Sequence, residues 1–154
     1  MFRRHPFLTI ATLAYLGLVA WLTLSPQSGS LAGNPLYRLA EFFGRHAATD
    51  WITFNVLEFT ANILMFMPLG LFLVLLFGRR QWWIAILAGV VLTVVIEYTQ
   101  TFLPTRVSDI RDIIANSLGA TLGTLFALVV TAGGARRRRA ELRRRYPAAA
   151  PRRA

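Results

Sequence analysis

The sequence predicts an all-α integral membrane protein in which four transmembrane helices form a bundle. Four segments are apolar over the roughly 20 residues that a helix needs to cross a hydrocarbon core about 30 Å thick. Hydrophobic residues make up 55% of the 154-residue chain and charged residues only 16%, which is little charge for a soluble domain of this size. The arginines also cluster at alternate ends of the apolar segments, as they do in multi-pass membrane proteins.

The four predicted spans follow from the apolar runs and the residues that flank them. The first covers 6–24, and its uncharged run from Phe7 to Leu24 is 18 residues long. That length exceeds a usual signal-peptide core and no small-residue cleavage site follows directly, so we expect a retained helix rather than a signal peptide. The other three predicted spans are 56–77, 82–103 and 110–132.

The arginines predict the orientation of these spans. All 17 basic residues are arginine, and 13 of them precede the first span, lie between the second and third, or follow the fourth. Arginine beside a membrane helix holds that end on the cytoplasmic side. We therefore predict cytoplasmic N and C termini and one longer extracytoplasmic loop between the first and second spans.

That loop contains a candidate amphipathic helix. In the segment from Leu36 to Ala47, apolar residues at helical spacing predict a short helix with one apolar face. Such a helix either lies along the outer membrane surface or forms part of an ordered loop without membrane contact.

The chain is divided into a transmembrane domain, 1–134, and an arginine-rich tail, 135–154. The tail lacks the apolar residues needed to bury a core, so we expect it to be disordered in the cytoplasm. Its expected partner is anionic lipid. We expect no nucleic-acid binding, because no aromatic interleaving supports it.

The most informative residues are the polar ones inside the apolar segments. A carboxylate near the bilayer centre costs about 2.5–3.5 kcal/mol on insertion scales, so such residues normally face the bundle interior and have partners. In each of the three later spans they recur three or four residues apart and therefore share one helical face. These pairs are Glu58 and Asn62, Glu97 and Gln100, and Asp112 and Asn116.

The three polar faces are predicted to meet in one water-accessible pocket. Successive spans run in opposite directions, and a rise of about 1.5 Å per residue places the three pairs at similar depths below the outer surface. Arg106 lies in the short connection beside them. The predicted ligand-binding residues are Glu58, Asn62, Glu97, Gln100, Arg106, Asp112 and Asn116.

Structural roles compete with this interpretation. Amide side chains can simply join helices, with a contribution of about 0.6–2 kcal/mol each. Arg106 and Arg111 can neutralise the carboxylates in a purely structural salt-bridge network. Asp109 is expected to cap the fourth helix, and Gly119 with Gly123 to allow close helix packing.

No motif in the sequence demands a metal or cofactor, although a carboxylate pair could hold a divalent cation through oxygen ligands if the protein is an enzyme. The chain has no cysteine, and its two histidines are too far apart for metal-ligand spacing. No nucleotide-binding motif or Ser-His-Asp arrangement is present. We predict no metal and no cofactor.

Four ordered motifs, spanning about 24–128, resemble the VanZ-like membrane protein family. They are Leu24-Ser25-Pro26; the segment from Glu58 through Asn62 to Met67-Pro68-Leu69-Gly70; Glu97-Tyr98-Thr99-Gln100 with Phe102 and Arg106; and Asp109 and Asp112 through Asn116 with Gly119 and Gly123. The resemblance implies a bacterial cell-envelope protein of the cytoplasmic membrane. The family's founding member is associated with low-level resistance to the glycopeptide teicoplanin. The seven predicted ligand-binding residues all fall on the family's motifs.

Three functions are compatible with these features. In the first, which we favour, a non-enzymatic protein binds a lipid headgroup, a lipid-linked wall precursor or a lipophilic glycopeptide antibiotic. In the second, an enzyme acts on a lipid-linked substrate with Glu97 or Asp112 as the acid or base and Arg106 on an anionic phosphate. Transport ranks last, because the inner halves of the spans carry almost no polar groups and four helices would have to assemble as a homo-oligomer.

Overall fold

The computed structural model describes residues 6–25, 34–104 and 108–145, and for 135–145 the backbone. Within these ranges the regular structure is entirely helical. A short 3-10 turn, Arg79–Gln81, directly precedes the helix that begins at Trp82. The five α-helices are α1 (Pro6–Leu24), α2 (Pro35–Gly44), α3 (Phe54–Phe77), α4 (Trp82–Gln100) and α5 (Ile110–Arg145).

Four of these helices are long and apolar enough to cross a membrane, which confirms the predicted all-α class with four spans. The largest difference in their bounds outside α5 lies at the end of α4, which stops at Gln100 rather than Leu103. Thr101 and Leu103 instead form turns that bond back to Glu97 and Gln100. The following Pro104 disfavours helix at the residue before it. The side of the membrane that each terminus occupies stays a prediction.

The tail is helical further than predicted. The part of α5 able to span the membrane is Ile110–Gly134, yet the helix continues through Arg145. The structure describes the backbone of 135–145 as helix, and residues 146–154, for which disorder stays a prediction, lie outside the described part of the chain. Arginine and alanine are good helix formers, and adding them to an existing helix needs no new nucleation.

The centre of the bundle is the contact between α3 and α5. A Cβ atom at Gly119 or Gly123 would overlap a backbone carbonyl oxygen of α3, belonging to Ile63 or Met67. The two backbones therefore lie in direct contact, in the way that small residues permit between membrane helices. This agrees with the packing role predicted for both glycines.

α1 and α2 pack at the edge of this centre. Only 17% of the α1 span is buried, and the Tyr15 hydroxyl donates to the Met65 carbonyl of α3 at 2.7 Å. α2 corresponds to the predicted amphipathic helix and begins where the Asn34 side chain accepts the Leu36 N–H at 2.9 Å. Stacking of Tyr37 on Phe54 places α2 beside the first residue of α3.

Candidate functional site

Polar side chains from three helices come together at one end of the bundle. α3 and α5 begin and α4 ends there, and we call it the mouth end. The polar cluster at the mouth end consists of Glu58, Asn62, Glu97, Ser108, Asp109 and Asp112.

Asp112, at the start of α5, is the residue that connects the cluster. Its Oδ1 accepts a hydrogen bond from Asn62 Nδ2 on α3 at 2.8 Å. The carboxylates of Glu97, Glu58 and Asp109 are all close enough to interact with it electrostatically. The structure thus brings together four of the predicted residues, Glu58, Asn62, Glu97 and Asp112, whereas ligand binding by them stays a prediction.

Glu97 fastens the end of α4 to the segment that enters α5. Its side chain is 3% exposed. Its Oε2 accepts two hydrogen bonds, from the Ser108 hydroxyl at 2.9 Å and from the Asp109 N–H at 2.9 Å. Two donors on one carboxylate oxygen offset part of the cost of burying its charge.

Asp109 caps α5, as the sequence predicted. Its Oδ1 accepts the Arg111 N–H at 2.8 Å, and its carbonyl accepts the Asp112 N–H at 3.0 Å. These bonds satisfy donors of the first helical turn that would otherwise have no partner. The Arg111 side chain is exposed. Arg106, predicted for the site, lies outside the described residues.

Gln100 and Asn116 are also buried, and each joins two helices. Gln100 Nε2 donates to the Thr23 carbonyl of α1 at 2.9 Å, and Asn116 Nδ2 donates to Thr93 Oγ1 of α4 at 2.9 Å. These bonds match the structural alternative of interhelical joints. Gln100 Oε1 and Asn116 Oδ1 are nevertheless buried without a hydrogen-bond partner among the described residues.

Sequence reasoning missed Thr23, Thr93 and Ser108. Thr93 precedes Glu97 by four residues, so the spacing that identified the other polar pairs also places it on this face. Ser108 lies in a connection without periodicity, and Thr23 contributes only its backbone carbonyl. Ser108 and the Thr23 carbonyl therefore cannot be identified by looking for polar side chains inside apolar segments.

Burial increases from the rim of the site to its floor. Ser108 and Asp109 are exposed, Asp112 is half-buried, and Glu97 and Asn116 are buried. Such a gradient suits access by a polar group from the mouth end. Within the described part of the chain, no group of three histidine or acidic residues has an arrangement that would hold a metal ion.

The bond between Asn62 and Asp112 can be tested by a double-mutant cycle. Asn62→Ala and Asp112→Ala are expected to couple by about 0.5–1.7 kcal/mol in the free energy of unfolding, the range found for polar pairs between membrane helices. The measurement is reversible unfolding in mixed micelles. Asn62→Ala combined with Asp50→Ala, an exposed residue outside the cluster, should be additive. A coupling no larger than in this control pair contradicts the predicted interaction.

A family model described as VanZ/LLP1 matches residues 12–131 of the chain. The match contains all of the polar cluster together with Gln100 and Asn116. No curated protein and no solved structure matches the chain.

Proposed function

The chain belongs to the VanZ/LLP1 family of membrane proteins, and on this premise we propose that it is a non-enzymatic protein of the bacterial cell envelope that binds the polar head of an amphiphile. The mouth end would face outward from the cytoplasmic membrane. The observation that carries the proposal is the meeting of polar side chains from three otherwise apolar helices at that end. Maintaining such a polar site inside a membrane domain is costly, and this favours a function for it.

The chemistry of the site indicates which head groups fit. Its described side chains are mainly hydrogen-bond acceptors, namely carboxylates and the unpartnered oxygens of Gln100 and Asn116. Acceptors of this kind bind hydroxyl and amine groups. Sugars and amines occur on lipid headgroups, lipid-linked wall precursors and lipophilic glycopeptide antibiotics. Binding of the last class would contribute to antibiotic resistance.

The apolar part of such a ligand has a surface next to the site. On α4, Tyr98 is 67% exposed and packs edge-on against the exposed Phe102. On α5, Ile110 and Ile114 are also exposed. In a membrane these side chains contact acyl chains, so an amphiphile can keep its tail in lipid while its head enters the cluster.

Photo-crosslinking in liposomes tests the binding proposal. The probe is a glycosylated diacylglycerol with a diazirine beside its sugar, and labelled peptides are identified by mass spectrometry. Wild-type protein should be labelled around 97–116, and Asp112→Asn should reduce this about tenfold, because a hydrogen bond to a charged group contributes about 1.5–3 kcal/mol. The substitution keeps an acceptor for Asn62, so the fold should be retained.

The control variant is Asp50→Asn, an exposed carboxylate outside the polar cluster. It should be labelled like the wild type. Equal labelling of all three proteins at 97–116 would contradict binding through the cluster, and so would labelling spread evenly along the lipid-facing helices.

The electrostatic interaction between Glu97 and Asp112 favours a second candidate, an enzyme that acts on a lipid-linked substrate. Asp112 is the better placed general base, because Glu97 is buried and already accepts two hydrogen bonds. Turnover of bacterial lipid extract by the wild type, lost in Asp112→Asn, would establish this candidate. Parallel reactions with a chelator would show whether a metal ion takes part.

A further inference from the structure

α2 has more exposed apolar surface than its contact with the bundle covers. Leu36, Ala40 and Phe43 form its half-buried face. On the flank beside that face, Leu39 is 41% exposed and Phe42 is 56% exposed. No residue of α2 is fully buried.

The opposite side of α2 is charged. Arg38, Glu41 and Arg45 are exposed and recur three and four residues apart. Arg45 donates to the Glu41 carboxylate at 3.2 Å, in an exposed ion pair. Apolar and charged surfaces therefore run side by side along one short helix, the pattern of a helix that lies in a membrane interface.

The position of α2 identifies what its apolar flank contacts. The Tyr37 ring lies 4.8 Å from that of Phe54, the first residue of a membrane-spanning helix. Three residues before α3, Trp51 is 64% exposed, and exposed tryptophan beside a span is typical of the level of the lipid headgroups. α2 is thus held at the depth where the chain enters the bilayer.

We propose that α2 is an interfacial helix whose flank, Leu39 and Phe42, inserts into the lipid leaflet at the mouth end. Arg38, Glu41 and Arg45 then face headgroups and water. α2 thereby holds the connection between α1 and α3 against the bilayer beside the polar cluster, whatever ligand that cluster binds.

Site-directed fluorescence tests this directly, because the chain has no native cysteine. Phe42→Cys and Glu41→Cys are each labelled with bimane and reconstituted in liposomes of phosphatidylcholine and phosphatidylglycerol. Quenching is measured with lipids brominated near the headgroup end of the acyl chain, and separately with iodide in the water. Leu39→Cys is a second flank position, and an unchanged thermal unfolding temperature shows that each variant is folded.

The Phe42 label should be quenched by brominated lipid about threefold more strongly than the Glu41 label, since an interfacial helix inserts its apolar face only. Iodide should give the reverse order. Equal iodide quenching at both positions would overturn the proposal and leave α2 in water. A Phe42 label shielded from both quenchers would also overturn it, because another protein surface would then cover the flank.

Discussion

Gly123→Leu is expected to destabilise the native bundle severely. A side chain at this position would occupy the space of the Met67 carbonyl oxygen. Because the obstacle is backbone, it cannot rotate away, and α3 and α5 would have to separate. Overpacking a core typically costs 1–3 kcal/mol when side chains can adjust, so we expect a loss above about 3 kcal/mol here. That is a large fraction of a typical stability of about 5–15 kcal/mol.

Gly133→Leu on the same helix is the matched control. Apart from the local backbone of α5, no atom of the described residues lies within 4 Å of the position that a Cβ would take there, and the substitution is equally apolar. It should leave the free energy of unfolding unchanged or raise it by up to about 1 kcal/mol, because glycine is a poor helix former and leucine a good one. Both variants are compared by unfolding in mixed micelles and by the yield of monodisperse protein. A Gly123→Leu variant as stable as Gly133→Leu would contradict the close packing of α3 and α5.

The spans could be predicted because a helix that crosses a membrane needs about 20 consecutive, mostly apolar residues. Apolar length alone located four helices, and α1 was predicted at its observed bounds, Pro6–Leu24. The ends of helices depend on local chemistry that apolar length does not contain. Pro104 stops α4 early. The arginine-rich residues of the tail extend α5, although the composition of the tail indicates only that it cannot form a hydrophobic core.

The polar cluster could be predicted as a set of helical faces but not as a set of bonds. Spacings of three and four residues placed Asp112 and Asn62 on inward faces, and the structure joins them. The spacing of residues in the sequence determines the helix face on which a side chain lies, but it does not determine the side chain's rotamer or its hydrogen-bond partner. Gln100 therefore turns to the Thr23 carbonyl, a backbone group that no search for polar side chains can identify.

Replacing Glu97 separates the role of its charge from the role of its acceptor oxygens. Glu97→Leu removes the acceptor for the Ser108 hydroxyl and the Asp109 N–H. Hydrogen bonds to charged groups contribute about 1.5–3 kcal/mol each, and relief from burying the carboxylate offsets part of that loss. We expect Glu97→Leu to lower the free energy of unfolding by about 2–3 kcal/mol, measured in the same micelles.

Glu97→Gln should stay within about 1 kcal/mol of the wild type, since its carbonyl oxygen can still accept both bonds. It also removes the repulsion between Glu97 and Asp112, whose charges interact in the wild type. If Glu97 instead served mainly as the anion of a structural salt bridge, the glutamine variant would be destabilised nearly as much as the leucine variant. Glu97→Leu and Glu97→Gln differ mainly in whether residue 97 can accept hydrogen bonds. Comparing their free energies of unfolding therefore shows whether Glu97 stabilises the protein as a hydrogen-bond acceptor between α4 and the start of α5 or as an ion-pair partner.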